Sequence, residues 1–232
     1  MEFKSELEKL NISLTKSMEE KFEMYYNRLI AVNEYMNLTA ITEKNEVYLK
    51  HFLDSLFIVK AIDISKPYSI LDVGSGAGFP SIPLAIVDSN ANVIIIDALN
   101  KRINFLNELV KEIGLNNVNA FHKRAEEYAK EKRESFDYVT ARAVARLNVL
   151  SELCLPLVKV GGHFIAMKGQ VADEELKEAK NGIELLGGKV KNIIELDLPD
   201  NAGKREIIII EKIKPTPNKY PRDFNKIKGK PL

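Results

Sequence analysis

Cysteine is almost missing from this chain. Cys154, in the apolar run Leu153-Cys154-Leu155, is the only one. It excludes an intrachain disulfide and reads as a buried apolar filler, and no Cys/His cluster offers a metal site. Net charge is close to zero, +1 from 34 basic and 33 acidic side chains. That excludes a global basic field, so any surface for a polyanion must be local. Long hydrophobic runs are missing too: the longest are strand-length, well short of a membrane span. The start, Met1-Glu2-Phe3-Lys4-Ser5-Glu6, is charged and has no signal-peptide core. A soluble, cytoplasmic protein is expected, with no membrane and no metal. Internal repeats and low-complexity linkers are absent. An apolar share of 45% over 232 residues suffices for one large domain, or one domain with an extension.

Glycine is missing from residues 1 to 63, and that stretch reads as helical. Leu7, Leu10, Leu14 and Met18 recur at three- to four-residue spacing, as do Phe22, Tyr25, Tyr26, Leu29 and Ile30. Asn37-Leu38-Thr39-Ala40-Ile41-Thr42 breaks the rhythm, and Thr42 is suited to open the next helix. That helix carries His51-Phe52-Leu53-Asp54-Ser55-Leu56, in which His51 and Asp54 read equally as local packing or as functional groups.

From residue 68 the rhythm becomes strand, turn, helix, repeated, as in a parallel sheet with covering helices. Strands are expected over 69–73, 93–97, 118–121, 136–140 and 163–167. Two more, 189–198 and 206–213, flank a turn at Pro199-Asp200-Asn201-Ala202-Gly203 and form a hairpin. The expected organisation is a helical extension over 1–63 packed on an α/β body over 64–213, then a tail over 214–232. The tail is basic and proline-containing. Its prolines should prevent regular structure, and its cations interleaved with Tyr220 and Phe224 suit either a phosphate backbone or a solvated extension.

The organising stretch is Ile70-Leu71-Asp72-Val73-Gly74-Ser75-Gly76-Ala77-Gly78-Phe79-Pro80. An apolar strand ends in an acid, three glycines alternate through a tight turn, and a proline suits the first turn of a helix. Exposed N–H groups at such a helix start favour a polar or anionic ligand group. Ligands of doubly wound sheets lie outside the carboxyl ends of the strands. The loop, Asp97, Ala125-Glu126, Arg142 and Lys168 all fall there. Asp97 is placed to accept from ribose hydroxyls, Glu126 from an adenine amino group, and Ala98-Leu99 to pack on the base. The spacing G-x-G-x-G differs from the dinucleotide pattern G-x-G-x-x-G, and no Tyr-Lys or His-based hydride-transfer partner is evident. A nicotinamide oxidoreductase is therefore disfavoured. An acid followed by alternating glycines instead resembles motif I of class I S-adenosylmethionine-dependent methyltransferases.

A more specific resemblance covers nearly the whole chain. The stretch Leu71 to Pro80, Asp97-Ala98-Leu99-Asn100-Lys101-Arg102, Thr140-Ala141-Arg142-Ala143, Met167-Lys168-Gly169-Gln170 and His51 to Leu56 are similar to the glucose-inhibited division protein B family. Asn37-Leu38-Thr39 and Lys219-Tyr220-Pro221-Arg222 match as well. The resemblance implies a Rossmann-like class I methyltransferase: a mostly parallel seven-stranded sheet with an antiparallel C-terminal hairpin, preceded by a helical cap. It implies transfer of a methyl group from S-adenosylmethionine, leaving S-adenosylhomocysteine, to N7 of one guanine in the 530 loop of bacterial 16S ribosomal RNA. The partner would be the small subunit or its assembly intermediate, with no obligate protein partner.

By the same resemblance Gly74, Phe79, Ala125, Glu126 and Arg142 line the cofactor site, joining Asp72, Gly76, Gly78, Asp97, Ala98 and Leu99. Guanine N7 carries a free lone pair, so no acid or base is expected, only placement, which alone gives effective molarities of roughly 10⁵–10⁸ M. Arg142 and Lys168 are the candidates for orienting the guanine, through O6 or the phosphates. Lys101, Arg102, Lys123 and Arg124, with His122, are expected to form local positive surface at the cofactor mouth. Arg146, Lys168, Lys219 and Arg222 extend that set of RNA-contact candidates. The alternatives are a methyltransferase acting on another RNA or a small molecule, and a non-catalytic ribosome assembly factor.

Overall fold

The computed structural model describes residues 2–169 and 173–232; Gln170, the last residue of one family motif, lies outside them. The glycine-free start forms α1 (Phe3–Glu8), α2 (Lys16–Met36), α3 (Lys44–Val47) and α4 (Asp54–Leu56). A π-helical stretch, Tyr48–Leu53, joins α3 to α4, and a 3-10 turn, Phe57–Lys60, follows. The spacing of Leu7, Leu10, Leu14 and Met18 does not mark one helix. Asn11 adopts φ 58, and Thr15 starts α2 by accepting from the Met18 N–H. Asn37, at φ 51, closes α2 in the left-handed region. Glu43 rather than Thr42 caps α3, its carboxylate accepting from the Glu46 N–H.

The body alternates β1 (Tyr68–Val73), α5 (Ser81–Val87), β2 (Ala91–Asp97), α6 (Asn100–Glu112), β3 (Val118–His122), α7 (Ala125–Glu131), β4 (Phe136–Arg142), α8 (Leu147–Cys154) and β5 (Val158–Lys168). Then come α9 (Asp173–Leu185), β6 (Gly188–Asp197), β7 (Lys204–Lys212) and α10 (Phe224–Gly229). The sheet order is β3-β2-β1-β4-β5-β7-β6. The first five strands are parallel, and β7 runs antiparallel between β5 and β6. This is the class I methyltransferase arrangement.

Ile70 and Leu71 on β1, like Val93, Ile95 and Ile96 on β2, are buried whichever face they point to, as central parallel strands require. One apolar cluster covers each face. On one, Phe22, Tyr25, Leu29 and Phe52 of the N-terminal helices pack with Ile70, Ile82, Ile95 and Leu106. On the other, Leu147 and Leu150 pack with Val139, Phe164, Ile208 and Ile227. Full burial of such side chains contributes about 1.5–3 kcal/mol each, so the N-terminal helices form one wall of the main core. The tail is not wholly irregular: past its prolines at 215, 217 and 221 it forms α10, with Ile227 fully buried. The parallel topology sets Gly74, Asp97, Arg142 and Lys168 along one sheet edge.

Candidate functional site

Each glycine of the loop between β1 and α5 has positive φ: 74 at Gly74, 63 at Gly76 and 109 at Gly78. Their roles differ. A Cβ on Gly76 would meet nothing, so its face is open for a ligand. A Cβ on Gly78 would lie 2.7 Å from Ile82 and 2.8 Å from the Tyr25 hydroxyl, so this glycine lets α2 pack against the loop. Tyr25 also donates to the Ala77 carbonyl at 2.7 Å. Phe79 stacks on His51, ring centres 4.6 Å apart, and on Tyr25 at 5.6 Å. Asp72 is fully buried; its Oδ2 accepts from the Ser81 hydroxyl, while Oδ1 and the buried Ser75 Oγ make no well-formed hydrogen bond among the described residues, the Ser75 hydroxyl lying close enough to the carboxylate to favour its charged form. Burial pushes the Asp72 carboxyl up to about 7.

Two clefts open at the carboxyl edge of the sheet. The first, about 420 Å³, is lined by Gly74, Asp97, Ala98, Leu99, Ala125 and Glu126, with Arg102, Lys123 and Arg124 at its basic side. Asp97 is buried and accepts from the N–H groups of Gly76 (3.2 Å) and Leu99 (2.8 Å) and from Arg102 (3.3 Å). That holds the glycine loop and the start of α6 in register around one carboxylate.

The second cleft, about 370 Å³, is lined by Lys50, His51, Asp54, Arg142, Lys168, Arg205 and Glu206. Ala143, at φ 56, lines both clefts. Arg142 is committed to the N-terminal helices: Nη1 donates to the His51 carbonyl (3.2 Å) and Ser55 Oγ (2.8 Å). Its Nη2 donates to the Lys50 carbonyl and to His51 Nδ1, both at 3.1 Å. Asp54 lies between Arg142 (3.4 Å) and Arg205 (2.9 Å). Lys168 donates to the Ala145 carbonyl (2.8 Å) and to Glu175 (2.5 Å). Burial, reinforced by the Arg142 charge, lowers the His51 pKa to about 4.

The sequence-predicted residues therefore separate. Gly74, Asp97, Ala98, Leu99, Ala125 and Glu126 meet in the first cleft, while Arg142 and Lys168 meet in the second. Asp72, Gly78 and Phe79 stand behind the loop rather than on the cleft wall. Among the RNA-contact candidates, Arg102 pairs with Asp97, Lys123 with Glu131, Arg146 with Glu178 and Arg222 with Glu152. Lys219 lies over the Tyr220 ring. Lys101 and Arg124 are exposed. Arg205 and Glu206 were not legible in the sequence because they reach the cleft from the hairpin. Val144, Leu153 and Phe224 of the first cleft were missed for want of any motif. Among the described residues no helix is long and apolar enough to cross a membrane, and no cluster of three His, Cys, Asp or Glu is placed to hold a metal.

A family model described as rRNA small subunit methyltransferase G matches residues 18–207. The chain belongs to the GidB family. It is 57% identical over 212 residues to Ribosomal RNA small subunit methyltransferase G of Staphylococcus saprophyticus, covering 91% of this chain and 89% of that one. It is 55% identical over 223 residues to the protein of the same name from Bacillus cereus, covering 95% and 93%. Among solved structures, a SAM dependent methyltransferase from Aquifex aeolicus aligns with TM-score 0.53 at 19% identity, over 72% of this chain and 93% of that one. P. horikoshii TYW2 in complex with MeSAdo aligns with TM-score 0.55 at 17% identity, over 69% and 61%. These likenesses in structure agree with the class I fold.

Proposed function

We propose that the protein is an S-adenosylmethionine-dependent methyltransferase of small-subunit ribosomal RNA, acting on N7 of one guanine in the 530 loop of 16S RNA. The observation that carries this reading is the meeting of two unlike clefts at Ala143. The first suits a nucleoside with an amino-acid arm. Asp97 is its ribose acceptor, Ala98 and Leu99 its base-packing surface and Glu126 its acceptor for the adenine amino group. Toward the loop, the open face of Gly76 leaves room for the polar arm. The bound cofactor supplies an electrophilic methyl group.

The second cleft suits an acceptor that needs no proton removed. His51 has both ring nitrogens engaged and a lowered pKa, and Asp54 is shared by two arginines. Neither is a free base. Guanine N7 meets this requirement, whereas an exocyclic amine or a hydroxyl would have to lose a proton. An ammonium has three donors, so Lys168 retains one N–H for O6 or a phosphate beyond its bonds to Ala145 and Glu175. Arg142 has spent its terminal nitrogens and acts by positioning the helical cap and charging the wall. Glu206, whose main chain pairs in the sheet but whose carboxylate has no hydrogen-bond partner among the described residues, is placed to accept from N1–H and the 2-amino group of guanine. Rate then comes from placement.

The test is transfer from labelled S-adenosylmethionine to small subunits, large subunits and transfer RNA in parallel. Label in small-subunit RNA alone is expected. Equal labelling of the three would remove the substrate assignment.

A further inference from the structure

The segment after β7 is bound to the body at closely spaced points. Arg133 donates to the carbonyls of Thr216 (2.6 Å), Pro217 (3.1 Å) and Tyr220 (2.8 Å). The Glu134 carboxylate accepts from the Thr216 N–H at 2.7 Å, and buried Lys212 donates to the Thr216 hydroxyl at 2.7 Å. Further on, Arg222 grips the fully buried Glu152 of α8 through Nε (2.8 Å), Nη2 (2.6 Å) and its backbone N–H (2.9 Å). An arginine and a carboxylate in this forked geometry fix orientation as well as distance. Five residues later Ile227 is fully buried in the second apolar cluster. Phe224 is thus held from both sides.

The place where it is held is the wall of the first cleft, with Leu99, Glu126, Val144 and Leu153. Among the described residues Phe224 is the only aromatic ring on that wall. A ring and two leucines beside the Glu126 carboxylate make the surface a purine requires: apolar faces and a polar group to fix its edge. Phe224 lies beyond the stretch that the family model matches, residues 18–207, and outside the motifs that carry the family resemblance, which end at Arg222.

We propose that Phe224 is a cofactor-contact residue whose ring forms the outer wall of the adenine pocket, and that the tail is a fixed part of the cofactor site. The inference rests on the assignment of the first cleft to S-adenosylmethionine. Its rival is that Phe224 only packs against the second apolar cluster, which it also touches.

The chain contains no tryptophan, so F224W places the only indole on the cleft wall, and its emission is read with excitation that spares the tyrosines. Titrating the full-length variant with S-adenosylhomocysteine is expected to shift that emission saturably, with the Kd that calorimetry gives. F224A is expected to raise the calorimetric Kd by about tenfold, as loss of one stacking surface does, while the cofactor-free protein melts within a few degrees of wild type. 5′-Methylthioadenosine, which lacks the amino-acid arm, should lose affinity by the same factor, since the ring faces the adenosine end. A silent F224W and an unchanged Kd in F224A would overturn the proposal and leave Phe224 a packing residue. Should F224A fail to fold, F224L and F224W isotherms decide on the same criteria. A wild-type protein that binds neither ligand would overturn the cleft assignment itself, and that outcome is distinct because the variants are then not the cause.

Discussion

His51 accepts a hydrogen bond through Nδ1 from Arg142 at 3.1 Å, and its Nε2 lies 2.7 Å from Thr39 Oγ1. Arginine can only donate, so Nδ1 is the acceptor and a neutral ring carries its proton on Nε2, toward Thr39. One imidazole therefore ties the segment after α2 to the end of β4, across the face of Phe79.

This arrangement gives a pH signature with a defined sign. His51 titrates at about 4 in the folded protein against 6.5 ordinarily, so between those values the unfolded chain takes up a proton that the folded one refuses. Stability falls as pH is lowered through that window, by at most about 1.4 kcal/mol per pH unit. Asp72 acts oppositely. Its folded pKa of about 7 against 3.8 means the folded chain holds a proton that the unfolded one has lost, so stability falls as pH rises from 3.8 to 7. The two partly cancel in wild type. Urea midpoints at several pH values between 4.5 and 7 should show H51N and D72N departing from the wild-type slope in opposite directions. Parallel profiles for all three would contradict both assignments.

Two glycines of one loop should fail differently. G78A forces a Cβ to within 2.7 Å of Ile82 at φ 109. Strain and overpacking together should cost about 2–4 kcal/mol, read as a lower melting temperature. G76A has open space at φ 63 and should cost only about 1–2 kcal/mol, yet weaken S-adenosylhomocysteine binding in calorimetry because its methyl enters the ligand's space. Equal stability losses with equal retained affinity would count against the open face of Gly76 as a contact.

Glu206 tests recognition of the acceptor. If it accepts from N1–H and the 2-amino group, E206Q should lower kcat/KM on small subunits by roughly 10–100-fold, the equivalent of one good base-edge pairing at about 1–3 kcal/mol. Cofactor affinity should stay at the wild-type value. An unaltered kcat/KM would take Glu206 out of the acceptor site.

The cations divide by partner. K101A removes an exposed charge that has no pairing partner among the described residues and should reduce the slope of log affinity against log salt by about 1 for a lost phosphate contact. R222A should leave that slope unchanged. It strands the buried Glu152 carboxylate, which should cost about 3–5 kcal/mol in urea unfolding. A reversal of the two outcomes would return the tail to the RNA surface.

The sequence was most readable where chemistry and backbone geometry act over a few residues. Asp72, three alternating glycines and Pro80 require a strand, a turn of positive φ and a helix start, and Asp97 ends the next strand with its carboxylate at the same edge. The repeated strand-helix rhythm carried the sheet, and the hairpin showed through its turn residues. What stayed hidden depends on distance along the chain. Arg205 reaches Asp54 across 151 residues, and nothing local marks either one. His51 and Asp54 looked like packing or function in equal measure because only the fold shows that Arg142 lies between them. The tail misled for a physical reason: its prolines at 215, 217 and 221 and its basic character do suit an irregular extension. Arg133, Glu134 and Glu152 nevertheless supply the hydrogen bonds that hold it down, and α10 forms beyond them.

The most direct test of the central claim is to identify the methylated atom. Unmodified bacterial small subunits, incubated with the protein and labelled S-adenosylmethionine, would have the product nucleotide mapped by mass spectrometry. The account predicts a single 7-methylguanosine in the 530 loop, because N7 needs no base, His51 and Asp54 are committed elsewhere, and the Glu206 carboxylate is assigned to the N1–H and 2-amino edge of the guanine. A methyl group on an exocyclic amine or a ribose hydroxyl would contradict it, since either reaction releases a proton that His51 and Asp54, both committed elsewhere, do not take, and would require Glu206 to act as a base instead of a guanine-edge acceptor.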